Sequence, residues 1–133
     1  MIDNRKKLLC DSNILLIASQ ENVPDQLEEL LRAKDTVRYY SAAALWEIVI
    51  KDMLGKLNAG IAPWELKQAL EKNGYISIPV QDEHTLAVQM LKNIHNDPFD
   101  RIMIAQAHCE KLTLVTTDSL LKEYGVETIV IKR

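Results

Sequence analysis

Residues 112–118, Leu-Thr-Leu-Val-Thr-Thr-Asp, form a short apolar run that ends in an acidic residue. Leucine and β-branched residues in a run of this length are typical of a buried strand. The run 8–11, Leu-Leu-Cys-Asp, has the same form. Such runs alternate along the chain with helical patterns, which indicates a parallel sheet covered on both faces. We therefore predict an α/β fold with three layers, α/β/α, and a mostly parallel central sheet of about five strands.

The predicted elements follow this alternation. Strands are expected at about residues 7–11, 37–41, 75–80, 112–116 and 127–131. Helices are expected at about residues 13–19, 25–33, 42–54, 63–72, 82–92, 99–110 and 119–124. Local signals support several boundaries: Ser41 and Asp82 as N-caps, Pro63 in a first turn, and Gly55 as a terminator. The sequence contains no repeat, low-complexity tract or linker, so we predict a single domain over residues 1–133.

The charge balance limits the ways in which the chain could bind nucleic acid. Its 16 basic and 19 acidic residues give a formal charge of -3. This balance argues against a protein that is held on nucleic acid by bulk electrostatics alone. It does not exclude a nuclease, because bound metal would neutralise some of the carboxylates.

The lack of a recognisable targeting segment and the spacing of the cysteines predict a cytoplasmic protein. Residues 1–7 contain no apolar segment long enough for a signal peptide, and no stretch approaches the roughly 20 apolar residues of a membrane span. Cys10 and Cys109 lie far apart in apolar surroundings without the C-x-x-C spacing of redox or metal sites. We expect both to be buried free thiols.

Four acidic residues stand at the edges of apolar segments: Asp11, Glu47, Asp100 and Asp118. A carboxylate beside a core costs free energy unless something compensates its charge. A hard divalent cation, which prefers oxygen ligands, can compensate several at once. Ligands of parallel sheets bind beyond the carboxyl ends of the strands, where these residues can converge. The pattern indicates a metal-dependent hydrolase of phosphate esters.

Each of these acids also has a local structural explanation. Asp11 and Asp118 could cap the helices that follow them, and Asp100 could interact with the dipole of its own helix. Glu47 is the hardest to explain locally because apolar residues flank it on both sides. Its structural alternative is an ion pair with Lys51, one turn later.

The histidines and glycines add little. We expect His84 to lie on the surface and His108 to be a core histidine, whereas His95 could approach the site. Their spacing does not match a zinc motif. There is also no glycine-rich phosphate-binding loop.

Four segments resemble, in order, the motifs of the PIN domain. They are residues 8–13, 41–51, 97–107 and 114–118. The strings Ser-Ala-Ala-Ala-Leu-Trp-Glu-Ile-Val-Ile-Lys and Asp-Pro-Phe-Asp-Arg-Ile-Met-Ile-Ala-Gln-Ala are similar to VapC-type ribonuclease toxins of bacterial toxin–antitoxin pairs. The likeness extends from Leu8 to about Ile131.

This resemblance implies a metal-dependent endoribonuclease that uses Mg²⁺ or Mn²⁺ to hydrolyse RNA phosphodiester bonds. The implied metal ligands are the four acids, with Asp11 and Asp100 as principal ligands and Glu47 and Asp118 acting through water or on the nucleophile. Thr116 matches the hydroxyl residue that holds a ligand or water beside the last acid.

Residues near these motifs differ from the family in two places. Ser12 stands where a threonine is common, and residues 15–17, Leu-Leu-Ile, replace aromatic residues. Asn96 replaces the usual basic residue before Asp97, which can alter contact with the substrate. Asp97 and Arg101 match family residues that flank the third acid, and Asp97 also fits an N-cap.

The implied partners are an RNA substrate, a cognate antitoxin and a second copy of the chain in a homodimer, with no membrane. Trp46, Trp64 and Tyr75 are candidate contact residues.

Two alternative functions remain open: a receiver-like signalling module that binds Mg²⁺, and a PIN-like domain that serves only as a binding scaffold. A receiver needs adjacent acids after the first strand, whereas here Ser12 follows Asp11.

Overall fold

The computed structural model describes residues 3–132, and these residues contain a five-stranded sheet. Its strands are β1 Lys6–Cys10, β2 Thr36–Ser41, β3 Ile76–Ile78, β4 Thr113–Thr116 and β5 Thr128–Val130. The spatial order is β3-β2-β1-β4-β5, and all four strand pairs are parallel. The predicted α/β class and the five strands are confirmed, each boundary within two residues.

The helices fill the intervals between the strands. They are α1 Ser12–Ala18, α2 Asp25–Arg32, α3 Ala42–Met53, α4 Pro63–Lys72, α5 Asp82–Ala87 and α6 Pro98–Glu110. The predicted helix 82–92 is shorter than expected, because a 3₁₀ turn at Val88–Met90 follows α5 and Leu91 is extended. The predicted helix 119–124 is a 3₁₀ helix, Ser119–Tyr124. Within residues 3–132, no helix has the length and apolar character needed to cross a bilayer.

Local side-chain chemistry sets most helix ends as predicted. The Ser41 hydroxyl accepts a hydrogen bond from the Ala43 N–H at 3.0 Å, and Pro63 is the first residue of α4. Gly55 follows the end of α3 with φ +69°, a conformation that glycine adopts without a steric penalty. The prediction that Asp82 is an N-cap is wrong, because Gln81 occupies that position.

Strand β1 forms the centre of the core. Leu8, Leu9 and Cys10 are fully buried although successive side chains point to opposite faces of the sheet. Helices therefore cover both faces, as in other parallel sheets. Burial of each leucine contributes about 1.5–3 kcal/mol.

The strand order puts the topological switch point of the sheet at the ends of β1 and β4. From β1 the chain moves to β2 and β3 on one side, then returns to add β4 and β5 on the other. The order therefore reverses between β1 and β4. Ligands of open α/β sheets bind at this point, beyond the carboxyl ends of the strands.

Three side chains lie where the sequence did not place them. His84, expected on the surface, is fully buried, and its Nδ1 accepts a hydrogen bond from the Gln81 N–H. His108, expected in the core, and Cys109, expected to be buried, are both exposed. The run of buried positions in α6 ends at Ala107, so its last turn faces solvent.

Candidate active site

Asp11 lies at the junction of β1 and α1. Its N–H donates to the Val115 carbonyl at 3.1 Å, and its Oδ1 accepts from the Ile14 N–H at 2.9 Å as the N-cap of α1. The predicted capping role is therefore real. Burial raises the pKa of Asp11, the Thr116 hydroxyl and the Ile14 N–H oppose that rise, and the charges of Glu47 and Asp118 add to it. A cap alone does not explain a carboxylate placed among other carboxylates.

Glu47 points inward from α3 and is 9% exposed. The Ser12 hydroxyl donates to its Oε1 at 2.6 Å, and Lys51 Nζ lies 3.3 Å from its Oε2. The ion pair with Lys51, predicted as the structural alternative, is thus present. It does not remove Glu47 from the site, because the charge of Glu47 raises the pKa values of both Asp11 and Asp100.

Asp100 is the third residue of α6, and Asp97 caps the same helix. Asp97 Oδ1 accepts from the N–H groups of Phe99 at 2.9 Å and of Asp100 at 3.3 Å. The predicted cap is therefore confirmed. Burial raises the pKa of Asp100 to about 7, and the negative charges around it add to the effect: Asp97, Asp11, Glu47 and Asp118. The pKa of Asp100 thus responds to the charges of the other three predicted acids, which places all four in one electrostatic environment.

Asp118 follows β4 and occupies the exposed edge of this site. Its N–H donates to the hydroxyl of the fully buried Thr116 at 3.1 Å, and its Oδ1 accepts from the Leu120 N–H at 3.0 Å. It is therefore also the cap of the 3₁₀ helix, as the sequence allowed. One carboxylate oxygen, Oδ2, is not used by that cap.

His95 joins this site, although sequence reasoning treated it as a marginal candidate. Its Nε2 lies 3.6 Å from Asp100 Oδ2. Among the described residues, His95, Asp100 and Asp118 each offer one ligand atom, and these atoms lie within 4.8 Å of one another. Asp11 and Glu47 are not part of this closest group. The sequence signal for His95 was its position just before the Asn-Asp-Pro turn that leads to Asp100.

The donors present fit a divalent cation. Carboxylate oxygens are the ligands that hard divalent ions prefer. Lys51 pairs with Glu47, and the pKa of Asp100 is nevertheless raised to about 7. The negative charge is thus incompletely compensated by protein groups. A cation held by Asp100 and its neighbours would offset it.

Two surface cavities differ in their relation to these acids. A cavity of about 290 Å³ is lined by Asn13, Lys51 and Lys56 among others, and therefore adjoins Glu47 through Lys51. A larger cavity of about 510 Å³, between α1, α2 and α4, is lined by Arg38 and Tyr75 and by none of the predicted site residues. The volume of a cavity alone therefore does not point to these carboxylates.

Comparison with known proteins agrees with the fold. A sequence model described as the PIN domain matches residues 8–127. A search of curated sequences found no match. VapBC2 from Rickettsia felis, bound to a DNA fragment from its promoter, is 19% identical at a TM-score of 0.69 and covers 92% of this chain and 97% of that chain.

Two further structures show the same likeness. VapBC-1 from nontypeable Haemophilus influenzae is 15% identical, with a TM-score of 0.69 and coverage of 93% of this chain and 97% of that chain. VapC20 from Mycobacterium tuberculosis, described as a sarcin-ricin loop cleaving toxin, is 10% identical, with a TM-score of 0.68 and coverage of 95% and 99%. At these identities the likeness establishes a shared fold.

Proposed function

The chain belongs to the PIN domain family, and on this basis we propose that it is a divalent-metal-dependent endoribonuclease, the toxin of a bacterial toxin–antitoxin pair acting in the cytoplasm. The observation that carries the proposal is the convergence of Asp11, Glu47, Asp100 and Asp118 at the carboxyl ends of β1 and β4. Each of these acids has a local structural role or partner. Their mutual electrostatic effect has no structural benefit, because like charges in a partly buried site destabilise the fold.

The residues divide the work of hydrolysis. Asp11, Asp100 and Asp118 would hold the ion, with Asp11 and Asp100 as the principal ligands. Glu47, whose oxygens are already paired with Ser12 and Lys51, orients the attacking water. A bound Mg²⁺ or Mn²⁺ supplies water activation and stabilises the charge that develops on the phosphate and the leaving oxygen.

Thr116 connects two parts of the site. Its buried hydroxyl accepts a hydrogen bond from the Asp118 N–H. Its hydrogen bond to the carboxylate of Asp11 opposes the rise in the pKa of that group. One side chain thereby sets the positions of acids that follow two neighbouring strands. We assign Thr116 a positioning role.

The RNA strand enters from the lysine-lined cavity. Asn13, Lys51 and Lys56 border it, and the ammonium groups of the two lysines can contact phosphate oxygens. This local arrangement reconciles a formal charge of -3 with a nucleic acid substrate.

The proposed partner is an antitoxin. The similar structures include VapBC complexes and a toxin–antitoxin complex from Klebsiella pneumoniae, which supports such a partner for this chain. We also propose a homodimer. Trp46 and Trp64 are 62% and 65% exposed and are available for contacts, whereas Tyr75 is half-buried with the Arg38 guanidinium 5.2 Å from its ring centre.

The deciding experiment is cleavage of RNA by the purified protein. We expect cleavage in Mg²⁺ or Mn²⁺ that stops in EDTA and falls at least about 100-fold in Asp100→Asn and Asp11→Asn, since each removes a charge that the transition state requires. Asp25→Asn is the matched control, because Asp25 is an exposed acid in the first turn of α2. Cleavage that persists in EDTA or in Asp100→Asn would contradict the proposal.

The same assay separates the enzyme from a binding scaffold. A scaffold would bind RNA or a protein without cleaving RNA under any metal condition. The toxin assignment has its own test: expression should arrest growth, and a small open reading frame adjacent to the gene should relieve the arrest. Arrest by Asp100→Asn as strong as by the unaltered chain would argue against a nuclease toxin.

A further inference from the structure

The side chain of His95 presents an unpaired nitrogen to the acidic site. Its Nε2 is buried and has no hydrogen-bond partner within residues 3–132. Asp100 Oδ2 is 3.6 Å away, beyond the usual hydrogen-bond range. A buried polar atom without a partner costs free energy that some compensating contact normally offsets. A bound ligand would provide that contact.

The opposite edge of the ring is held by Tyr124. The Tyr124 hydroxyl lies 3.3 Å from the ring Nδ1 of His95. It also accepts a hydrogen bond from the backbone N–H of His95 at 3.1 Å. Arg101 Nη1 reaches the same hydroxyl at 3.3 Å and donates to the carbonyls of Lys92 and His95. The tautomer with its proton on Nδ1 is the one that presents the Nε2 lone pair to Asp100 and Asp118, and metal binding at Nε2 selects it. Metal-binding histidines are commonly oriented by such a contact at their other nitrogen.

The distances allow a common ion. One atom each of His95, Asp100 and Asp118 lies within 4.8 Å of the other two. Opposite ligands of an ion at about 2.1 Å from each lie about 4.2 Å apart. Small side-chain rotations are therefore enough to bring all three atoms into contact with one ion.

The other histidines are not placed to substitute for His95. His84 has a partner at each ring nitrogen, the Gln81 N–H and Glu110. His108 is exposed and lies eight residues after Asp100 in the same helix, about 12 Å along its axis. It therefore provides a control histidine on α6.

We propose that His95 joins Asp11, Asp100 and Asp118 as a ligand of the catalytic metal ion, so that the site contains a nitrogen donor beside its oxygen donors and favours Mn²⁺ over Mg²⁺. The inference rests on the proposed function for the presence of an ion. Imidazole binds Mn²⁺ and later transition metals more readily than Mg²⁺, which prefers oxygen and retains its waters. The consequence is a metal preference that the carboxylates alone would not produce.

Pulsed electron paramagnetic resonance of the Mn²⁺-loaded, untagged protein tests the proposal directly. We expect modulation from one directly bound imidazole nitrogen in the unaltered chain and in His108→Gln, and its loss in His95→Gln. Because the unaltered chain supplies the primary measurement, the test does not depend on the folding of a variant. Bound Mn²⁺ without nitrogen modulation, or modulation that survives in His95→Gln, would overturn the inference.

Calorimetric titration gives a second measurement. His95→Gln should bind Mn²⁺ about tenfold more weakly, while its Mg²⁺ affinity changes by no more than about twofold. His108→Gln should leave both affinities unchanged. Equal losses for both ions in His95→Gln would show that the histidine only supports the loop, and would contradict a ligand role.

These measurements can contradict the His95 inference without contradicting the proposed nuclease function, and the reverse also holds. A protein that cleaves RNA with a metal held by oxygens alone keeps the proposed function and loses the His95 inference. A protein that shows nitrogen-bound Mn²⁺ but leaves every RNA intact keeps the metal site and loses the nuclease.

Discussion

The hydroxyl of Ser12 donates a 2.6 Å hydrogen bond to Glu47 Oε1, joining residues that are 35 positions apart. It links the first residue of α1 to the middle of α3 and holds the glutamate toward Asp11. Hydrogen bonds to a charged acceptor in a buried position are stronger than bonds between neutral groups. Ser12, which stands where the PIN family commonly has a threonine, therefore uses its hydroxyl to position Glu47.

Replacing Ser12 should therefore affect both stability and cleavage. Ser12→Ala leaves a buried carboxylate oxygen without its donor, so we expect a loss of about 1–3 kcal/mol in the free energy of unfolding. The freed Glu47 should also orient water less well and lower the cleavage rate. Chemical denaturation and RNA cleavage measure the two effects. Ser19→Ala is the control, because the exposed Ser19 hydroxyl bonds only a local carbonyl.

The raised pKa of Asp100 makes the stability of the metal-free protein depend on pH. The folded pKa is about 7 against the usual 3.8, so the contribution of Asp100 is fully present below pH 3.8 and is lost as pH rises through 7. Asp100→Asn should match the unaltered chain in Tm near pH 4. It should be more stable than that chain by pH 8, as thermal melts in EDTA would record.

Metal should reverse this dependence. Mn²⁺ binds the ionised carboxylate, so the increase in Tm on adding Mn²⁺ should be larger at pH 8 than at pH 5. Asp100→Asn should lose most of that increase, and Asp25→Asn should keep it. A Tm that does not respond to Mn²⁺ at either pH would show that the acids do not hold the ion.

His84 should be a structural residue outside the site. Its Nδ1 accepts from the Gln81 N–H at 3.0 Å, so the proton lies on Nε2 and is donated to Glu110 at 3.0 Å. His84→Ala should cost about 2–3 kcal/mol, from the lost bonds and the cavity left behind. His108→Ala should change stability by less than about 0.5 kcal/mol. Equal effects in urea denaturation would contradict this placement.

The two thiols should react at different rates. Cys109 is exposed in the last turn of α6, whereas Cys10 is buried in β1, and burial raises the pKa of its thiol to about 12. Ellman's reagent should modify Cys109 alone in the native protein and both cysteines in denaturant. Two rapidly reacting thiols in the native state would show that β1 is not buried as described.

The sequence predicted the sheet because its strands are short apolar runs with turn residues beside them. Burial on both faces requires near-continuous apolar residues, and Leu8, Leu9 and Leu114 are fully buried residues of such runs. Helix caps were predictable because they are local in sequence. The bonds of Ser41, Asp97 and Asp118 reach only two or three residues along the chain.

Burial of helix-borne polar residues was less predictable. The sequence placed His84 outside and His108 inside, and both placements were wrong. Hydrophobic pattern alone does not reveal that His84 meets Glu110 of α6, 26 positions away, nor that α6 leaves the core after Ala107. Such contacts depend on how two helices pack. The alternation of residue types within either helix does not encode them.

The sequence by itself determined the fold class, the order of the strands and helices along the chain, and the acids at their ends, since propensity, capping and hydrophobic periodicity are short-range properties. The tertiary structure decided which side chains meet. It placed His95 beside Asp100 and Asp118, and Ser12 beside Glu47. The reason is physical: these contacts arise where β1 and β4 lie side by side and helices pack over them, and that packing depends on the whole core.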